Sequence, residues 1–302
     1  MNYYSVPALS ASGAKLLLPP NSPAVYRHSM DSEKTDSAAL AFGRLVHTYA
    51  LEPHLIAEQY AVAPSVDRRS KDGKAAFDEF VLANQGKAIV SKADFDIAAA
   101  MANSFQSSKR WLDLLSNSIM EVEREFFWTD DETGCPCKAK VDVTLIYQGD
   151  TPPVVVDLKT TSADLTGDGL AKSMATFGYH RQAAQYRAAL ESVGLPGAVF
   201  YLAFVSKVAP HLCAIVRVSE DAMELGKAEL RSAMEIFVEC SRANVWPGPQ
   251  DIEWFGADGR RVVGCPDEIA LPGWYRSPGA ELVARDRKED NDLSDLGLDF
   301  GG

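Results

Sequence analysis

Long apolar runs are missing from this 302-residue chain. No stretch of 18 or more consecutive hydrophobic residues occurs, although such residues make up 46% of the sequence. A bilayer core takes about 20 apolar residues to cross, so no membrane span is expected. The opening Met1-Asn-Tyr-Tyr-Ser-Val-Pro has no basic segment followed by an apolar one, so no secretory leader is expected either. Cysteine is scarce. Cys135, Cys137, Cys213, Cys240 and Cys265 are odd in number and scattered, which fits reduced thiols in a cytoplasm and not a disulfide framework. Only Cys135 and Cys137 lie close together, as C-x-C, and without a second close pair neither a zinc site nor an iron–sulfur cluster is expected. Basic charge is also short: 30 Lys and Arg against 42 Asp and Glu leave a net charge of −12. A nucleic-acid binder usually has a basic footprint, but the tail from Glu281 alone supplies seven acidic and three basic residues. A local basic groove is compatible with an acidic whole. Internal repeats are absent.

The most informative stretch is Val141–Lys159. Two apolar segments flank a turn, and Asp142 and Asp157 each interrupt one of them. Side chains alternate along a strand, so Asp157 and Lys159 share a face and Leu158 takes the other. On the first segment Lys138, Lys140, Asp142 and Thr144 share one face, and Val141, Val143 and Leu145 the other. If the two segments pair, Asp142 and Asp157 converge on one hard cation with Lys159 beside it. That is the layout of a metal-dependent phosphodiesterase.

In chain order, residues 8–28 read as a short helix capped by Ser10 or Ser12, a Pro19-Pro20 break and a second short helix. Met30–Ser37 reads as a loop. Asp36–Leu51 reads as a helix with Leu40, Gly43, His47 and Leu51 on one stripe, stopped by Glu52-Pro53. His47 there is either a core histidine satisfied by a carbonyl or a functional group. Val66–Lys74 is the most basic short run, with Arg68, Arg69, Lys71 and Lys74 ahead of a helix over 75–84. It is either a solvated loop or a phosphate contact helped by the free N–H groups of that helix. A strand over 87–90 and an Ala-rich helix over 92–104 follow. Residues 119–128 read as a strand with Glu121, Glu123 and Glu125 alternating against Met120, Val122 and Phe126. Thr160–Lys172 reads as a polar loop. The helix 179–193 puts Tyr179, Gln182 and Tyr186 on one face, as a packing pair or as site residues. Strands over 198–205 and 211–218 precede a long helix over 219–244. Residues 277–302 are expected to be a disordered acidic tail. Its segment Leu293–Phe300 alternates acids with apolar residues, either as a solvated end or as a docking segment. The single domain expected is therefore 1–276, with its active-site core over about 36–206.

Four stretches in one order now stand together: His47 on an early helix, Asp142, Asp157-x-Lys159, and Gln182-x₃-Tyr186 on the next helix. With the words Gly43-Arg-Leu-Val-His47, Arg68-Arg-Ser-Lys-x₂-Lys74, Gly134-x-Pro-Cys-Lys-Ala-Lys-Val-Asp142, Val156-Asp-Leu-Lys-Thr-Thr161, Tyr179-His-x-Gln-Ala-Ala-x-Tyr186 and Trp246-Pro-Gly248, the chain resembles the PD-(D/E)xK nuclease superfamily. Within it, the chain is similar to the exonuclease VIII (RecE-type) C-terminal nuclease family of phage and prophage recombination. Asp-x-Lys alone is a weak signal, whereas the ordered set is specific. Two positions depart from the family pattern: Val141 stands where relatives often have proline, and Ser206-Lys207 where they often have Glu-Lys.

The resemblance implies an α/β fold, a PD-(D/E)xK (restriction-endonuclease-like) core with a central mixed β-sheet flanked by helices. It implies Mg²⁺, with Mn²⁺ as a substitute, held by His47, Asp142, Asp157 and the Leu158 carbonyl. Lys159 would orient or deprotonate the attacking water, and Gln182 and Tyr186 would position the nucleotide. Arg68, Arg69, Lys71 and Lys74 would hold the DNA backbone or a 5′ end, and Glu125 sits either near the metal or merely on the solvent face. The implied activity is exonuclease digestion of double-stranded DNA from the 5′ end, leaving a 3′ single strand for an annealing recombinase. The implied assembly is a ring-shaped homo-oligomer, a tetramer by preference, in a bacterial or phage-infected cytoplasm. The competing readings are another branch of the fold (a CRISPR-associated exonuclease or a site-specific endonuclease) and a non-catalytic DNA-binding or recombination scaffold. The intact Asp142/Asp157/Lys159 set argues against the scaffold, because gathering buried charges is costly without a use for them.

Overall fold

Serine and threonine set most of the helix starts in the computed structural model of the protein. The structure describes residues 3–32 and 36–249, together with the backbone of 253–255 and 261–263. The helices are α1 Ala11–Leu17, α2 Pro23–Asp31, α3 Ala38–Leu51, α4 Ile56–Gln59, α5 Lys71–Ala83, α6 Lys92–Gln106, α7 Lys109–Leu115, α8 Gly167–Phe177, α9 Tyr179–Glu191 and α10 Glu220–Ala243. Ser10, Ser37, Ser70, Ser91, Ser108, Thr166 and Ser219 each accept a backbone N–H of the first turn, satisfying donors that the helix leaves free. The strands are β1 Tyr60–Val62, β2 Ala88–Val90, β3 Ser118–Thr129, β4 Pro136–Tyr147, β5 Val154–Thr161, β6 Val199–Ser206, β7 Cys213–Arg217, β8 Glu253–Phe255 and β9 Arg261–Val263.

The central sheet has the order β3-β4-β5-β6-β7. All its pairs are antiparallel except β5 with β6, which run parallel through the α8–α9 crossover. A parallel pair joined in this way needs both faces covered, and both are. On one face Val154, Val156, Leu158, Ala203 and Val205 pack with Leu45 and Val46 of α3 and Met101 and Phe105 of α6. On the other, Val155, Phe200, Leu202 and Phe204 pack with Ala183, Tyr186 and Leu190 of α9 and Met223 of α10. β5 is buried on both faces from Val154 to Leu158, as its unbroken apolar run requires. The central mixed sheet flanked by helices is the architecture expected. Among the described residues no helix is long and apolar enough to cross a membrane.

Four expectations need correction. First, part of the loop expected over 160–172 is helical: α8 starts at Gly167, with Leu170 and Ser173 buried. Gly167 and Gly169 lower the helical propensity there, and the apolar face of Leu170 and Met174 overrides it. Second, the helix expected from residue 75 starts at Lys71, because Ser70 caps it through the Gly73 N–H, so Lys71 and Lys74 lie in its first turns. Third, Leu40 is exposed, and the buried side of α3 is Leu45, Val46, Thr48, Ala50 and Leu51.

The fourth correction concerns β4. Val141, Val143 and Leu145 do not share a face: Val141 packs with Ala139 under α9, while Val143 and Leu145 pack on the α3–α6 side. The parity changes at Asp142. Opposite it on β3, Glu123 has φ +52, and the ladder passes from Val122↔Val143 to Arg124↔Val141 without pairing the residues between. One residue on each strand is thereby taken out of the ladder. Side chains before and after it exchange faces, the effect of a bulge-like kink.

The described residues fall within one compact unit, Met1–Gly264. The acidic tail from residue 277, with Leu293–Phe300, lies outside the described residues.

Candidate active site

The acids sit where strands separate. The β4–β5 ladder runs from Leu145↔Val154 to Val143↔Val156 and stops there. The next backbone N–H, that of Leu158, has no strand partner across β4 and is taken instead by Asp142 Oδ2 at 2.9 Å. Asp157, with 0% exposure, lies at the same break. Its Oδ1 accepts a 2.9 Å hydrogen bond from Gln182 Nε2, which also donates to the Tyr186 hydroxyl at 2.9 Å. That hydroxyl donates to the Lys140 carbonyl at 2.7 Å. The i, i+4 spacing on α9 places Gln182 and Tyr186 one above the other, so they act together as a brace between Asp157 and β4.

Lys159 Nζ lies 2.5 Å from Asp157 Oδ2. The ammonium is thus the partner of this buried oxygen, paired with it as an ion and hydrogen-bonded to it. Burial alone would lower the pKa of Lys159, but the Asp157 and Asp142 carboxylates hold it above its ordinary value, and it remains an ammonium. Burial pushes both acids the other way, Asp142 from 3.8 to about 6 and Asp157 from 3.8 to about 6, against the pull of Lys159.

His47 Nε2 lies 2.8 Å from the Leu158 carbonyl. A carbonyl can only accept, so Nε2 carries the proton and Nδ1 presents a lone pair. Burial and the neighbouring Lys159 lower the pKa of His47 and keep the ring neutral. Its Nδ1 faces Asp142 Oδ2 at 3.5 Å. Two electron-pair donors at this separation need a proton or a cation between them. Glu123 completes the group: one ligand atom each from His47, Glu123 and Asp142 lie within 4.8 Å of one another. Imidazole nitrogen with carboxylate oxygens is a donor set for Mg²⁺ or Mn²⁺. The residues therefore fit a divalent cation, on the geometry of the facing lone-pair donors of His47 and Asp142 with the Glu123 carboxylate beside them.

Of the residues singled out in the sequence, His47, Asp142, Asp157, Leu158, Lys159, Gln182 and Tyr186 come together. The Leu158 carbonyl, expected as a metal ligand, here accepts the His47 N–H. Glu125 is exposed, and the glutamate brought to the centre is Glu123. Its carboxylate also pairs with Lys140 Nζ at 2.7 Å. Nothing in the even spacing of Glu121, Glu123 and Glu125 distinguishes it, since its inward direction comes from the left-handed backbone at φ +52. Arg68, Arg69, Lys71 and Lys74 are exposed on and before α5, with Arg68 stacked 4.0 Å over the Phe77 ring. Among the described residues no hydrogen bond or ion pair joins these four to the acidic centre.

A mixed sheet between helical layers, with two acids, a lysine and a histidine at a break between two strands, defines the class of the PD-(D/E)xK fold. The chain belongs to the family described as a PDDEXK-like domain of unknown function (DUF3799), whose model matches residues 10–253. The fold is similar to that in the crystal structure of a protein from Eubacterium rectale provisionally named an exonuclease. The identity is 15% and the TM-score 0.54, over 91% of this chain and 92% of that one, so the likeness is one of fold. A second solved structure, of SSO0001, matches with 14% identity and a TM-score of 0.28 over 65% of this chain and 85% of that one, and carries no argument. No curated protein matches the chain in sequence.

Proposed function

We propose that this protein is a divalent-metal-dependent DNA exonuclease that hydrolyses phosphodiester bonds at duplex ends. The observation that carries the reading is the break between β4 and β5, where Asp157 is buried and the Asp142 side chain is only 13% exposed, both raised to about 6 beside an ammonium. Two carboxylates gathered in this way beside a single ammonium are unfavourable in a purely structural role and suit a cation.

Asp142, Asp157, His47 and Glu123 would hold that cation, Mg²⁺ or Mn²⁺. When bound, it supplies charge neutralisation at the scissile phosphate and a lowered pKa for water. Lys159, kept charged by its two carboxylates, donates hydrogen bonds to the attacking water or a phosphoryl oxygen. Orientation and charge stabilisation fit it better than proton abstraction. Gln182 and Tyr186 fix the orientation of Asp157, and burial together with the two acids keeps the Tyr186 hydroxyl protonated as a donor. Arg68, Arg69, Lys71 and Lys74 are assigned to the DNA backbone. Lys71 and Lys74 stand at the positive end of the α5 dipole, where cations are unfavourable unless an anion joins them.

Polarity, products and assembly rest on the resemblance of the sequence words to the RecE-type family. We assign 5′-to-3′ digestion leaving 3′ overhangs for an annealing recombinase, and a ring-shaped homo-oligomer, preferably a tetramer. The test is digestion of linear duplexes labelled at either end, with Mg²⁺ and with chelator, beside Asp157→Ala and Lys159→Ala. Loss of label from the 5′ end by wild type alone is the expected result. Unchanged cleavage in both variants refutes the site, and equal cleavage of closed circular DNA points to an endonuclease.

A further inference from the structure

Phe177 and Tyr179 flank the glycine that joins α8 to α9. Gly178 closes α8 with φ +71, a left-handed conformation that favours glycine. This turn lays the two rings on each other, centroids 5.5 Å apart and planes at 23°. Tyr179 is the inner ring. It packs on Phe204 at 6.0 Å and lies 4.9 Å from Lys159 Nζ, the ammonium paired with Asp157. Phe177 is the outer ring, 53% exposed. Lys15 Nζ stands 5.5 Å from its centroid and donates to the Thr176 carbonyl at 3.4 Å.

A single exposed phenylalanine needs no explanation. This one forms a continuous stack whose inner end touches the lysine of the acidic centre and whose outer end carries a second cation. We propose that Phe177 is the outer step of a stacking platform for an unpaired nucleobase at the strand end, with Lys15 facing the adjoining phosphate. An aromatic face accepts any base, and flanking cations follow the backbone, which is how single strands are held without sequence preference. The proposal rests on the nuclease reading above and adds to it a residue that positions the strand.

The test uses the full chain in chelator and a fluorescent duplex with a short single-stranded end, with the terminal nucleotide either intact or abasic. Phe177→Ala and Phe177→Leu are expected to bind the intact end about tenfold more weakly, and Phe177→Trp to bind like wild type. The abasic end should cost wild type a similar factor and Phe177→Ala nothing further, the signature of one shared contact. Mg²⁺ binding by calorimetry and the melting temperature should be unchanged in all three variants. Equal DNA affinity in wild type and Phe177→Ala, an abasic cost that persists in Phe177→Ala, or a change of oligomeric state in place of affinity overturns the platform. Wild type that cleaves DNA with a metal while ignoring Phe177 overturns this inference alone. Wild type that neither binds nor cleaves DNA overturns the nuclease reading as well.

Discussion

At about pH 7.5 and without metal, this fold holds two carboxylates that water solvates poorly, and neutralising one of them should make the protein more stable. Asp142→Asn is the cleaner replacement. The amide oxygen can still accept the Leu158 N–H that Asp142 Oδ2 accepts at 2.9 Å, and Lys159 keeps Asp157 at 2.5 Å. Burial raises Asp142 from 3.8 to about 6. Because the folded value is the higher one, ionisation costs nothing below the unfolded value of 3.8. The cost grows between 3.8 and about 6 and is complete above that. The gap corresponds to about 3 kcal/mol at most. Allowing for local relaxation, we expect a gain of about 2 kcal/mol, or roughly 4–8 °C in Tm for a unit of this size.

The assay is thermal melting of wild type and variant in chelator at about pH 7.5 and about pH 4.5, then with Mg²⁺ or Mn²⁺. The advantage of the variant should shrink toward zero at the lower pH. Added metal should stabilise wild type, by about 2.7 kcal/mol at a hundred times Kd, and the variant far less. Asp157→Asn should have the opposite sign in chelator, since it strips Lys159, only 18% exposed, of its nearest anion, at a cost of several kcal/mol. The reasoning fails if wild type is as stable as Asp142→Asn at about pH 7.5, or if the difference does not depend on pH.

Glu123→Gly should raise the melting temperature, because glycine adopts φ +52 without the roughly 1 kcal/mol that other residues incur, yet it should weaken metal binding; calorimetry that finds unchanged affinity removes Glu123 from the metal site. Lys159→Ala should lower cleavage by about 10²–10³-fold while added metal still raises Tm; full loss of the metal response would make Lys159 structural. Cleavage should fall as the pH drops through about 6, since Asp142 and Asp157 take up protons there and must lose them to hold a cation, and more Mg²⁺ should move the midpoint lower; a flat profile counts against this. Gly226→Ala would place a Cβ 2.2 Å from the His180 carbonyl oxygen, driving α10 off α9, and should cost about 1–3 kcal/mol by urea unfolding.

The sequence carries the parts of this site that local words can encode. Asp157 and Lys159 share a face because β5 is regular, and Asp157 stands out as the one charged residue in its run of buried apolar neighbours. Gln182 and Tyr186 sit one turn apart because α9 is regular, and their joint grip on Asp157 follows from that spacing. His47 is different: its position on α3 is legible, but its neutral tautomer is set by the Leu158 carbonyl, 111 residues away. Glu123 is not legible at all. Three glutamates alternate on β3, and period-two reasoning treats them alike. Only the kink at φ +52, which takes Glu123 and Asp142 out of the ladder, turns one of them inward and swaps the faces on either side. The failure of alternation and the presence of the site have the same cause. A regular β3–β4–β5 ladder would pair the Leu158 N–H with β4 backbone and bury Asp142 with nothing to accept. Breaking the ladder at Asp142 frees that N–H for the carboxylate and opens the space in which His47, Glu123 and Asp142 meet. The face that Val141 takes is thus the structural trace of this candidate metal site, visible once Ala139 and Val141 are seen to pack on one side and Val143 and Leu145 on the other.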